Sequence, residues 1–140
     1  MIDTQAARAR HKTRHKARDM AQDLTKALND HCLWKRELRA AAVYQKRDLP
    51  ISRICRDDCC AFGRWLHQLP PSIRHSAEAQ TVEHLHAQFH RAAGAVAEMI
   101  VDGHYDQALS SLATGGYPQV SAALTREVVQ WKMKMLVAAS

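Results

Sequence analysis

The stretch TVEHLHAQFHRAAGAVAEMIVDG, residues 81–103, decides the fold. Val82, Leu85, Phe89, Val96 and Ile100 recur at helical spacing and make one apolar face, and Gly103 supplies a stop. With Ser72 as a cap, the spacing predicts a long helix ending near Asp102. A helix of that length with a single apolar stripe must bury the stripe against other helices.

Its neighbours show the same period. Met20, Leu24, Ala27, Leu28, His31, Trp34, Leu38, Ala41 and Val43 predict a first helix from about Ala17 to Lys46. The segment RDLPISRICRDD interrupts it: Pro50 disfavours helix at Leu49, and Asp57 or Asp58 offers an N-cap for a second helix. CCAFGRWLHQL predicts that short second helix, stopped by Pro70-Pro71. HYDQALSSLA predicts a short fourth helix, and TGGYP a turn with Pro118 at the first position of a last helix. That helix carries Val120, Leu124, Val128, Trp131 and Met135. No strand pattern or internal repeat is present. The expected fold is all-α, an antiparallel four- to five-helix bundle.

Composition agrees. A chain of 140 residues with 46% hydrophobic residues supports one core, and 5 Gly with 4 Pro favour long helices over a strand-and-turn fold. No apolar run is long enough to span a bilayer, and the start has no apolar segment of a secretory signal. A cytoplasmic protein with reduced thiols is expected. Charge is uneven. Arg8, Arg10, Lys12, Arg14, Lys16 and Arg18 stand against Asp3 and Asp19 in the first twenty residues, whereas the rest is almost balanced. Basic residues at every second position go round a helix, so residues 1–19 read as a basic N-terminal extension, a solvated helix or a loose arm. The helical domain then spans residues 20–140.

Within the deciding stretch, HAQFH sets His86 and His90 four apart on one face, where both can point at one ion. A polar helix face rich in histidine has the same pattern, so the pair alone is a weak signal. His84 points to nearly the opposite side and reads as solvated. Two further segments strengthen the metal reading. HCLW, residues 31–34, and CCAFGRW, residues 59–65, each join a ligand-type residue to a tryptophan on a packing face. In the latter, Gly63 permits close backbone approach, and Phe62 and Trp65 serve as anchors. A His from the first helix, a Cys from the second and two His from the third make a His₃Cys set, which suits tetrahedral Zn²⁺. His67, His75 and His104 read as surface or capping residues, Cys32 as a small packed residue, and Cys55 as part of the irregular segment. His11 and His15 repeat the spacing in the basic extension without a third ligand.

The order His31-x-x-Trp34, Cys60-x-Phe62-Gly63-x-Trp65, His86-x-x-x-His90 resembles the chemoreceptor zinc-binding (CZB) domain family, over roughly residues 20–138. The resemblance implies zinc held by His31, Cys60, His86 and His90, and it selects Cys60 over Cys59. It also implies a homodimer that regulates a chemoreceptor or a diguanylate cyclase. With 140 residues there is no room for such an output domain, so the chain is expected to be a stand-alone member or an excised sensor.

Four protein ligands close a zinc shell, whereas hydrolytic zinc needs an open position for water. HAQFH also lacks the glutamate of His-Glu-x-x-His, and no nucleophile elbow or phosphate loop is present. An enzyme is not expected. The expected activity is sensing, through zinc availability or thiolate oxidation, with a purely structural zinc as the alternative. A nucleic-acid partner for the basic extension is a further alternative, disfavoured because that segment lacks aromatic residues for stacking.

Overall fold

A computed structural model describes residues 4–139. It holds seven helices among them: α1 (Thr4–Val43), α2 (Ile51–Ile54), α3 (Ala61–His67), α4 (Pro71–Arg74), α5 (Ala77–Val101), α6 (Tyr105–Thr114) and α7 (Gly116–Ala139). The described residues contain no strand, so the all-α bundle holds. Helices α1, α5, α6 and α7 form it, while α2, α3 and α4 lie in the connection between α1 and α5.

Side-chain pairs give the directions. Lys132 Nζ donates to Thr25 Oγ1 at 2.8 Å, and Lys134 meets Glu78 at 3.2 Å. Near the other end of α7, Tyr117 packs on Phe89 with ring centroids 5.4 Å apart. Helix α7 is therefore antiparallel to α1 and α5. The apolar face read from the deciding stretch is the centre of the core: Val82, Phe89, Val96, Ala97 and Ile100 are all buried, together with Leu24, Leu38, Leu112, Leu124, Val128 and Trp131.

Helix ends differ from expectation where the stop is not written in glycine. Helix α1 stops at Val43, with the Lys46 amide donating to the Ala41 carbonyl at 2.9 Å and Gln45 at φ 56°. This is a left-handed cap built on a residue other than glycine, which spacing does not announce. The end of α5 is the same motif with the expected Gly103, at φ 81°. There the His104 amide reaches the Met99 carbonyl at 2.8 Å.

The basic segment is helix continuous with α1, not a loose arm, and its Arg and Lys side chains are exposed. No helix boundary separates it from residue 20 onwards. The first three residues of the expected 1–19 extension, and Ser140 of the 20–140 domain, lie outside the described residues. The long helix begins later than predicted. Pro70-Pro71 starts the single turn α4, and Ser76, not Ser72, caps α5 by accepting from the Ala79 amide at 3.2 Å. The last helix starts at Gly116, with Pro118 inside its first turn, where a missing amide hydrogen costs nothing. Among the described residues, no helix is long and apolar enough to cross a membrane.

Candidate metal centre

Position on a helix decides each donor. His86 and His90 sit one turn apart on the buried face of α5, and His31 enters from α1. Cys60 stands just outside a helix. It is the N-cap of α3, in extended conformation, and its sulfur accepts from the Gly63 amide at 3.2 Å. Asp57 and Asp58 do not cap this helix. The four residues predicted from sequence converge: their donor atoms all lie within 4.8 Å of one another. His86 Nε2 is at the middle, 3.1 Å from His31 Nε2, 3.1 Å from His90 Nε2 and 3.2 Å from Cys60 Sγ.

Two backbone carbonyls set the tautomers. His31 Nδ1 donates to the Ala27 carbonyl at 2.6 Å, and His90 Nδ1 donates to the Ile54 carbonyl at 2.9 Å. A carbonyl can only accept, so both Nδ1 atoms carry the hydrogen and both Nε2 atoms present lone pairs. His86 Nε2 holds at most one hydrogen and can serve one neighbour. The remaining contacts set lone pair against lone pair, an arrangement that a cation resolves. Tetrahedral zinc, with Zn–N of about 2.0–2.1 Å and Zn–S of about 2.3 Å, requires donor–donor edges of about 3.3–3.7 Å. The three separations from His86 Nε2, 3.1–3.2 Å, are a few tenths of an ångström short of those edges.

Electrostatics keep the imidazoles in the ligand form. Burial lowers His86 to about 2, with the His31 and His90 rings adding to it. Burial likewise lowers His31, against the opposing hydrogen bond that its ring donates to the Ala27 carbonyl, and lowers His90, against the bond to Ile54. For Cys60, burial pushes the thiol up, partly offset by the Gly63 amide. Metal binding must therefore displace one proton, from the thiol, and none from the imidazoles.

Aromatic rings enclose the cluster. Phe89 and Phe62 each meet the His31 ring edge-on, at 5.0 Å and 5.7 Å. Phe62 stacks on Trp65 at 5.6 Å, Trp65 contacts Trp131 at 6.0 Å, and the Trp65 indole donates to Asp23 Oδ2 at 3.0 Å. These contacts pin α3 to α1 and α7, as the anchor reading of Phe62 and Trp65 anticipated. Trp34 is half-buried beside Cys60 and His90.

Two glycines allow close approaches that spacing only partly signalled. A Cβ on Gly63 would collide with the Asp57 carbonyl, so the close approach is to the loop before α3 and not to another helix. A Cβ on Gly94 would stand 2.6 Å from Cys55 Cβ. Gly94, one turn beyond His90, lets the end of α2 seat on α5, which brings the Ile54 carbonyl to the ring. The A-A-G-A run around it is the sequence signal for that approach.

The other histidines stay outside. His84 is exposed and pairs with Gln88, His67 donates to the Gly63 carbonyl on the surface, and His75 and His104 are exposed. His11 and His15 stack along exposed α1, with His15 3.6 Å from Asp19. Cys32 is exposed, contrary to its reading as a packed residue, because it lies on the outer side of α1 beside buried His31.

This donor set and its order along the chain have a counterpart. Residues 31–97 match the chemoreceptor zinc-binding domain family. The match is narrower than the 20–138 expected, yet it contains all four clustered residues. The CZB domain is a regulatory, zinc-binding module and not a catalytic family, and its association is with chemoreceptors. No curated protein and no solved structure matches the chain. The CZB match and the four-residue cluster together identify Zn²⁺ as the ion.

The buried neutral imidazoles make the metal-free protein acid-sensitive. Their folded-state pKa values lie below the unfolded value of about 6.5, so the unfolded chain binds more protons below that pH. Stability is expected to be full above about pH 6.5 and to fall as pH drops towards the folded-state values. Urea titrations of chelator-treated protein at stepped pH check this. A midpoint that stays constant from about pH 7 down to about pH 5 would contradict it.

Proposed function

We propose that this chain is a zinc-dependent regulatory module, in which His31, Cys60, His86 and His90 ligate one zinc ion and the state of that site controls a signalling partner. The observation that carries the proposal is the convergence of three Nε2 atoms and one sulfur from three segments at one buried point. Zinc bound there supplies a positive charge that neutralises the crowded lone pairs and the Cys60 thiolate. Four protein ligands leave no open position for water, which supports regulation over catalysis. Elemental analysis should find one zinc per chain. His90→Ala is expected to lower zinc affinity by more than the ten- to hundredfold (roughly) typical of losing a supporting contact. Full zinc affinity in His90→Ala, or in Cys60→Ala, would remove the ligand assignment.

Regulation, as opposed to stapling, is supported by how unequally the ligand-bearing elements are held. Helices α1 and α5 belong to the bundle and share its core with α6 and α7. The segment from Pro50 to Ser76 consists of short helices and turns draped over α5. Losing zinc frees Cys60 and leaves polar groups facing one another, a costly state when buried. The short segment places Ile54, Phe62 and Leu66 in the core, fewer side chains than α1 or α5, so it is the part that can move with the smallest loss of packing. Peptide-resolved hydrogen exchange should show deprotection by a chelator in residues 50–68 and around His31 and His86, with the second half of α7 still protected. Uniform loss of protection would instead make the ion a structural staple.

The partner side of the proposal has two parts. The chain forms a homodimer, supported by the apolar side chains that α7 leaves on the surface: Val129, Met133, Leu136 and Val137, with Val137 72% exposed. The effector is a chemoreceptor or a diguanylate cyclase in the cytoplasm, where the four free cysteines stay reduced. Residues 1–19 act as a basic, solvated extension of the zinc-binding part. Sedimentation at tens of micromolar, about where weak dimers form, should give the mass of two chains. A monomer throughout would exclude the dimer.

A further inference from the structure

Beside the metal cluster lies a cavity of about 170 Å³, lined by Trp34, Pro50, Arg53, Ile54, Cys59, Cys60 and His90. Two of its walls are thiols. Cys60 is the proposed ligand, and Cys59 is half-exposed next to it. Both precede α3, in non-helical backbone, so the helical geometry that would point adjacent side chains about 100° apart does not apply. The loop is fixed at both ends: Arg64 Nη1 donates to the Cys59 carbonyl at 3.0 Å, and Arg56 pairs with Asp58 at 2.9 Å. Cys59 makes no contribution to the four-donor cluster, and the zinc reading gives it no task.

We infer that Cys59 is the resolving thiol for Cys60: oxidation of the ligand sulfur by a peroxide ends in a Cys59–Cys60 disulfide, which releases zinc reversibly. The inference rests on the proposed zinc ligation by Cys60. In the first step the Cys60 thiolate attacks one peroxide oxygen. An S–O bond forms, the O–O bond breaks, and hydroxide leaves, giving a sulfenic acid. In the second step the Cys59 sulfur attacks the Cys60 sulfur. An S–S bond forms, the S–O bond breaks, and the hydroxyl departs as water with the Cys59 proton. The two thiols lose two electrons together, and the peroxide is reduced by two. The sulfur that leaves as part of a disulfide is no longer a thiolate ligand.

Geometry favours Cys59 over the other nearby cysteine. Cys55 is exposed, directs its thiol to the Ser52 carbonyl at 3.6 Å, and does not line the cavity. Its backbone is wedged against Gly94. The adjacent pair has a cost that suits a switch. Neighbouring Cα atoms are about 3.8 Å apart, shorter than the roughly 4.4–6.8 Å of unstrained disulfides, so the bond is strained and easily reduced. Resolution also removes the sulfenic acid before a second oxidant molecule carries it to the irreversible sulfinic acid.

The test uses the zinc-loaded full chain treated with hydrogen peroxide, followed by alkylation, trypsin and mass spectrometry, with released zinc read by a colorimetric chelator. Trypsin cuts after Arg53, Arg56 and Arg64, so Cys55 falls in the peptide 54–56 while Cys59 and Cys60 share 57–64. The expected product is peptide 57–64 lacking two hydrogens and unalkylated, with zinc rebinding after dithiothreitol. Cys59→Ser should bind zinc normally, lose it to peroxide, and end as a sulfinic acid that dithiothreitol does not restore. A cross-link between 54–56 and 57–64, or full zinc rebinding in oxidised Cys59→Ser, would overturn the role of Cys59. Zinc that peroxide releases with no disulfide in wild type would do the same. A wild-type protein that binds no zinc, or a Cys60→Ser variant that binds it unchanged, would instead remove the ligand assignment beneath.

Discussion

Three imidazole nitrogens and one sulfur held around a buried point are the constraint on which the rest of this structure depends. The nitrogen of His86 is 3.1 Å from each of two others, and two of the three rings cannot supply a hydrogen because their Nδ1 atoms already donate to Ala27 and Ile54. Protonation would relieve the crowding, but burial opposes it. A divalent ion satisfies both conditions at once, because it accepts the lone pairs and adds the charge that the protein interior otherwise refuses. The tautomer-setting partners are main-chain carbonyls, so the ligand orientation is written into the helix of α1 and the turn of α2.

That dependence explains why the connection between α1 and α5 is short-helical. A straight loop would not deliver a carbonyl to His90 and a sulfur to His86 from the same side. The turn α2 presents Ile54, and the N-cap of α3 presents Cys60, with Gly94 and Gly63 removing the Cβ atoms that would hold the two pieces away. The pieces are tied down at their far end by Trp65, through its hydrogen bond to Asp23 and its contact with Trp131. Within the segment Ile54, Phe62 and Leu66 reach the core, while most of its other side chains are exposed or half-buried. The half-exposed Cys59 lies in the same loop, next to the clustered Cys60.

The bundle itself supplies rigidity. Phe89 links the two functions of α5: it packs on Tyr117 of α7 and against the His31 ring. Movement of a donor on α5 is therefore coupled to the core, and Cys60 is tied to it through Phe62 and Leu66 of α3. The outer face of α7 carries exposed Val129, Met133, Leu136 and Val137, apolar surface that the bundle's own core does not use.

The helical class and the inward face of α5 were legible in the sequence, which also named the four side chains, His31, Cys60, His86 and His90, that cluster in the structure. An apolar stripe of period 3.6 and a pair of histidines four residues apart are local facts, and burial comes directly from them. Gly103 likewise announced its own stop, because only a residue free to adopt positive φ closes a helix there without strain. The tertiary structure decided what depends on distant partners. Gln45 ends α1 with no glycine to signal it. Ser76 caps the long helix after Pro70-Pro71 have started a separate turn. Cys60 acts as an N-cap whose sulfur faces His86, and the basic segment stays helical because it continues α1. The hydrogen bond from His90 to the Ile54 carbonyl belongs to the same group, whereas that from His31 to Ala27 lies within α1. A carbonyl has no side-chain identity, so no pattern of residues names Ile54, and only the packed chain shows that the His90 ring meets it.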